Sequence, residues 1–236
     1  MHLAANWIAT MDAAIKNPKS SVYDAIIKQT LAHYQRRFGN TPGFPALDWR
    51  LFKAQLLVES GGPTNPAWST RPMQIGNPGD PAYEVLRSGA QGANLIISVP
   101  LKMDIASKSI SMPDLNMRAA IAYVFTMAAK FHPRQVIDNA KVERVKVRPG
   151  QSLSSIAAAK HTTIQDLVQE NPKATGVLQP GQILNFQTAH MAIVIAGWRQ
   201  ITPEFLARWY NGGGYDGLGD PAYAAKLKYV LGKLGS

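Results

Sequence analysis

Leu51-Phe-Lys-Ala-Gln-Leu-Leu-Val-Glu-Ser-Gly-Gly62 is an apolar run that carries one acidic residue and stops at two glycines. Asp48 stands just ahead of it, a residue type whose side chain caps the first free backbone N–H groups of a helix. Leu51, Phe52, Leu56 and Leu57 fall on neighbouring turns, and Gly61 and Gly62 are helix stop signals. Glu59 therefore sits in the last turn. There the negative end of the helix dipole and the withdrawal of water by apolar neighbours both favour the neutral acid and raise its pKa. A carboxylic acid still protonated near neutral pH is what glycosidic cleavage needs, which makes Glu59 a candidate catalytic acid. The plain alternative is a surface glutamate at a frayed helix end.

The rest of the chain sets the bounds. Its 236 residues, 46% of them apolar, suffice for one large domain or a large one plus a small one. No segment is long and apolar enough to span a bilayer. The first twelve residues have neither a basic leader nor an uninterrupted apolar run, so they do not read as a signal peptide. Delivery by phage lysis or by an injection apparatus, whose proteins are then possible partners, is the expectation. Without cysteine there is neither a disulfide nor a thiolate metal site. A net charge of +10 points to an anionic partner. The basic residues are dispersed, with no zinc-finger spacing and no aromatics interleaved with a basic cluster, so nucleic acid is not expected. The histidines at positions 2, 33, 132, 161 and 190 show no zinc-ligand spacing, and neither metal nor cofactor is expected.

Residues 3–16 and 21–38 read as packing helices, the second with Val22, Ile26, Ile27, Leu31 and Tyr34 at three- and four-residue spacing. Turn residues 39–45 then separate them from the Glu59 helix. Further on, residues 116–131 read as an apolar helix whose small side chains suggest close packing, and residues 189–198 as another helix. Gly79-Asp-Pro-Ala-Tyr83 recurs as Gly219-Asp-Pro-Ala-Tyr223, each time with Asp as an N-cap and Pro at the first helical position. Asp80 therefore reads as a cap.

Glu59-Ser60, Asn65-Pro66-Ala67, Ser69 and Met73-Gln74-Ile75 match in type and order the motif of the soluble lytic transglycosylases and goose-type lysozymes. Arg71-Pro72 replaces that family's usual Gly-Leu. The chain resembles the family again at Tyr210-Asn211, which take the places of its Tyr-Asn segment, and in its last helix, with Tyr223, Leu227 and Val230 on one face. The resemblance implies a lysozyme-like helical domain that cleaves the β-1,4 bond between MurNAc and GlcNAc in peptidoglycan. Carried over by position, Glu59 is the acid/base and Tyr210 its orienter, while Ser60, Met73, Gln74, Ile75 and Asn211 meet substrate. The aspartate that goose-type lysozymes carry after Met-Gln is absent, its place taken by Gly76. Hydrolysis usually needs a second carboxylate. Members of the family that work with one glutamate close a 1,6-anhydro ring on the muramyl residue instead, and this transglycosylase route is the one expected. A hydrolytic muramidase using Asp80 or Asp216, and a peptidoglycan-binding assembly protein without turnover, remain open.

From about residue 142 to 188 the texture changes. Val145 and Val147 alternate as in a strand, two short helical blocks follow, and residues around Ile183 close with a strand. Pro149-Gly150, Leu153, Ile156-Ala157, Leu167, Asn171-Pro172, Leu178, Pro180-Gly181 and Ile183 reproduce the order and spacing of a LysM module. That resemblance implies binding of N-acetylglucosamine-containing glycans, in a groove formed by Gly150, Gln151, Ser152 and Leu153 and by the loop from Asn171 and Pro172 to about Gly176. Leu153, Ile156, Leu167 and Ile183 are expected in the module's core. The fold expected is mainly α: a lysozyme-like domain over 1–141 and 189–236, with a βααβ module inserted at 142–188.

Overall fold

In the computed structural model, which describes residues 2–174, 177–212 and 219–235, the chain leaves one unit and later returns to it. Unit 1 is Met1–Lys130 with Ile195–Ser236, and unit 2 is Phe131–Val194. In chain order the elements are α1 (Ala5–Lys16), α2 (Asp24–Phe38), α3 (Trp49–Ser60), α4 (Pro81–Ser88), α5 (Ala93–Ile96), α6 (Val99–Ser107), α7 (Pro113–Ala128), β1 (Ala129–Lys146), α8 (Leu153–Lys160), α9 (Ile164–Glu170), β2 (Ile183–Trp198), α10 (Pro203–Trp209) and α11 (Tyr223–Leu234). Among the described residues no helix is long and apolar enough to cross a membrane.

Unit 1 is built on α3 and α7. Asp48 caps α3 by accepting from the Arg50 N–H, and Gly61 ends it in the left-handed conformation, φ 74°, while donating to the Leu57 carbonyl. Gly62 is required for a different reason. At φ +89° it lies so close to α1 that an added Cβ would stand 2.5 Å from that of Ala14. Leu51, Phe52, Ala54, Leu56 and Leu57 are buried as α3 packs against α1, α2 and α11. Each large apolar side chain so buried contributes about 1.5–3 kcal/mol. α7 is buried on nearly all sides, its Ala119, Ala120 and Ala122 admitting close neighbours, and it packs against α2, α4, α5, α6 and α10. The Phe125 ring of α7 stacks on Tyr34 of α2 at 4.1 Å.

In unit 2, β1 and β2 form a two-stranded antiparallel sheet, and α8 and α9 supply the helical side of a small core. Ser152 and Ser155 form a reciprocal capping box at the start of α8, and Thr163 caps α9. The core comprises Val147, Ile156, Ala157, Leu167, Ala174, Leu184 and Phe186, with Val145, Leu153 and Leu178 against it.

Three features differ from those expected of the sequence. Residues 189–198 are strand and not helix: β2 runs unbroken to Trp198, and the helix read over 116–131 stops at Ala128, where β1 begins. Helical and extended periodicities are hard to separate in so short an apolar run, and β-branched Ile193, Val194 and Ile195 suit a strand. In consequence β1 and β2 extend beyond the module read over 142–188, and the compact unit that contains it is Phe131–Val194. Finally, Ile183 is exposed while Leu184 and Phe186 are buried. Alternation allows only one of the two sets to face inward.

Candidate functional site

Glu59 at the end of α3, Met73, Gln74 and Ile75 in the following loop, Asp80 and Ala82 at the head of α4, Tyr123 of α7, and Tyr210 and Asn211 beyond α10 line one cavity of 140 Å³ in unit 1. Glu59 is part-buried, and its withdrawal from water pushes its carboxyl up to about 7. A hydrogen bond from Tyr223 opposes that rise, and the charge of Asp80 adds to it. At neutral pH the group thus divides between acid and carboxylate, as a side chain that both gives and takes a proton must.

The tyrosine bonded to Glu59 is Tyr223, at the head of α11, whose hydroxyl donates to Oε1. Tyr210, expected in that role, donates instead to the Met73 carbonyl at 2.6 Å. Burial raises both phenols well above their ordinary range, so both remain hydrogen-bond donors. Ser60 also differs from expectation. It is buried, its Oγ donating to the Leu56 carbonyl at 2.6 Å and accepting from the Gly62 N–H at 3.1 Å, so its hydroxyl finishes the helix and does not line the cavity.

The cavity loop is held from beneath by Asn116 of α7, a buried residue that the sequence reading did not single out. Its Oδ1 accepts from the Met73 N–H at 2.9 Å, and its Nδ2 donates to the carbonyls of Ile75 at 2.9 Å and Ile110 at 3.1 Å. Gln74 has φ 59° and spends its amide within the loop, donating to the Arg71 carbonyl and accepting from Asn77. Met73 and Ile75 are buried and form the cavity's apolar wall. The Asn211 Oδ1 accepts from the Asp220 N–H.

Asp80 is both the cap that its Asp-Pro setting suggests and a member of the cavity. Its Oδ1 accepts from the Ala82 N–H at 2.9 Å and its Oδ2 from the Gly76 N–H at 2.7 Å. A second carboxylate thus shares the cavity with Glu59, anchored to the Gly76 backbone from four residues downstream. Asp216 lies outside the described residues, as does Gly176 at the end of the expected groove loop.

In unit 2, Gly150 adopts φ +78° in the turn after β1. Beside it the Gln151 Oε1 accepts from the Arg148 N–H, Ser152 caps α8 and Leu153 packs on the core. Asn171, read as a groove residue, is committed to the fold. Its Nδ2 donates to the carbonyls of Leu167 at 2.9 Å and Asn185 at 2.6 Å, and its Oδ1 accepts from the Asn185 N–H at 2.8 Å. Pro172 follows at the surface. Asp166, whose part composition did not reveal, is buried and takes hydrogen bonds from Thr162 and from the Gln187 N–H.

This strand, helix pair and returning strand coincide with a recognised family: residues 145–186 match the LysM domain. Unit 2 is built around a LysM domain. Such a domain binds peptidoglycan, so this chain carries a peptidoglycan-binding module. Comparison of the whole chain with curated proteins and with solved structures returns no match. Among the described residues no three His, Cys, Asp or Glu side chains group as a metal site.

Proposed function

We propose that unit 1 cleaves the peptidoglycan to which the LysM domain binds, with Glu59 as general acid and then general base. The observation that carries this reading is the Glu59 carboxyl, held at about 7 in a cavity where Tyr223 fixes one of its oxygens. The ordered resemblance of Glu59-Ser60, Met73-Gln74-Ile75 and Tyr210-Asn211 to the lytic transglycosylases supports it. In the forward step protonated Glu59 gives its proton to the oxygen between MurNAc and GlcNAc, and the bond from that oxygen to the muramyl C1 breaks. The carboxylate so formed then takes the proton of the muramyl 6-hydroxyl while its oxygen bonds to C1. No water is consumed, the acid is regenerated, and the product ends in 1,6-anhydro-MurNAc.

Hydrolysis is the second reading, and the placement of Asp80 in the same cavity favours it. A carboxylate there can stabilise positive charge developing at C1 or activate water. Mass spectrometry of a digest of purified walls separates the two, because transglycosylation leaves anhydro ends and hydrolysis leaves reducing muramyl ends. Glu59→Gln is expected to bind walls and release no muropeptides; release equal to wild type would sink the enzymatic reading altogether.

A further inference from the structure

On the strand that enters the LysM domain, charge and burial alternate. Val145 and Val147 turn into the core, while Arg144, Lys146 and Arg148 stand exposed at alternate positions and so share the opposite face. Backbone bonds from the Val147 N–H to the Gln182 carbonyl and from the Gly181 N–H to the Val147 carbonyl, both 2.8 Å, keep the chain extended through this stretch. Lys160 at the end of α8 comes to the same place, its Nζ 5.9 Å from the Phe186 ring.

These four cations line a single cleft of 760 Å³ together with Pro149, Gln151 and Gly181, and no acidic side chain lines it. None of the four enters an ion pair among the described residues. Of the four acids of unit 2, Asp138, Glu143, Asp166 and Glu170, none lines the cleft; Asp166 is buried and hydrogen-bonded, and Asp138 pairs with His190 at 2.7 Å. Like charges two residues apart on a strand stand about 7 Å from one another and repel. Clustering them in a concave surface without a counter-charge concentrates positive potential where an anionic ligand would relieve it.

We infer that this cleft is an anion-binding site of the module, taking the oxyanion groups, carboxylate or phosphodiester, that a bacterial wall polymer carries along its length. The guanidinium forks of Arg144 and Arg148 suit either group. The cleft begins at Gln151, in the turn expected to meet sugar, so one polymer can offer neutral saccharide to the turn and its acidic substituents to the cations. This inference is independent of catalysis by Glu59.

The test uses the full chain carrying Glu59→Gln, so that walls are not consumed, and measures sedimentation with intact walls and with walls whose phosphodiester polymers are stripped and carboxylates amidated. At low salt this protein is expected to bind intact walls at least about tenfold more tightly than neutralised ones, and the preference is expected to shrink as salt shortens the range of exposed charges. Adding Arg144→Gln, Lys146→Gln and Arg148→Gln should reduce binding of intact walls to the level of neutralised walls, with Arg148→Gln alone giving a partial loss. Stripping or amidating singly then identifies phosphodiester or carboxylate as the source. Equal binding of both wall preparations before substitution, a preference that survives the triple substitution, or equal loss on both preparations would overturn the assignment.

Discussion

Replacing Glu59 with glutamine tests the buried acid without reference to turnover. In the folded chain the carboxyl is held at about 7, against 4.5 for an ordinary glutamate. At ~1.4 kcal/mol for each pH unit between the two, ionised Glu59 costs unit 1 about 3 kcal/mol. The sign follows from the protons bound. Between the two values the unfolded chain has released its proton and the folded chain keeps it, so stability falls as pH rises, and the full cost stands above about 7. Glutamine is neutral throughout, and Tyr223 can donate to its carbonyl. Glu59→Gln is therefore expected to match wild type near pH 4 and to exceed it by about 3 kcal/mol near pH 9, a rise in midpoint of roughly 6–12 °C for a unit of this size. The five tryptophans, at 7, 49, 68, 198 and 209, all belong to unit 1, so fluorescence melts read that unit alone. A difference that does not vary with pH, or a variant less stable than wild type near pH 9, would refute the reasoning.

Three further outcomes are expected. Tyr223→Phe removes the hydrogen bond that holds the Glu59 carboxyl down, so the alkaline limb of the pH–rate profile should move upward by about one pH unit; an unmoved limb with reduced rate would leave Tyr223 a merely structural part. Asn116→Leu keeps the volume but strands the Met73 N–H and the Ile75 carbonyl in the interior. It should cost about 3 kcal/mol and lower the tryptophan-monitored melt, and a change below about 1 kcal/mol would show that the loop finds other partners. Asn171→Ala should destabilise the LysM domain by about 2–3 kcal/mol, seen as faster amide exchange in α9 and β2 while the tryptophan melt is unmoved, because its three bonds tie those two elements together. Unchanged exchange together with weakened wall binding would return Asn171 to the groove.

What could be read from the sequence was local. The caps of α3 at Asp48 and Gly61 depend on residues within four positions of one another, and so does the capping role of Asp80. The LysM module was legible because its spacing repeats a whole supersecondary unit. The strand over 189–198 was not, since Ala-His-Met-Ala-Ile-Val-Ile-Ala-Gly-Trp lacks clean alternation and is decided by pairing with β1, more than fifty residues earlier.

The site shows the same division between what neighbours in sequence decide and what packing decides. Glu59 could be picked out because burial at a helix end is a local inference. Its hydrogen-bond partner could not, because Tyr210 at the end of α10 and Tyr223 at the start of α11 both reach the region, and only the packing of α11 on α3 determines which hydroxyl meets the carboxyl. Asp80 was legible as a cap, and its place in the cavity was not, for a related reason. A capping aspartate accepts from the second helical N–H with one oxygen, and here the other oxygen turns back to the Gly76 N–H and carries its charge into the Glu59 cavity. Cap and cavity residue are thus one side chain used from two sides. Removing only its charge, by Asp80→Asn, should lower the Glu59 carboxyl from about 7, because the repulsion that Asp80 adds is gone. The alkaline limb of the activity profile would then move to lower pH. If hydrolysis depends on Asp80, reducing muramyl ends should disappear in the same variant, whereas a single-glutamate transglycosylase would keep its anhydro products and show only the shifted limb.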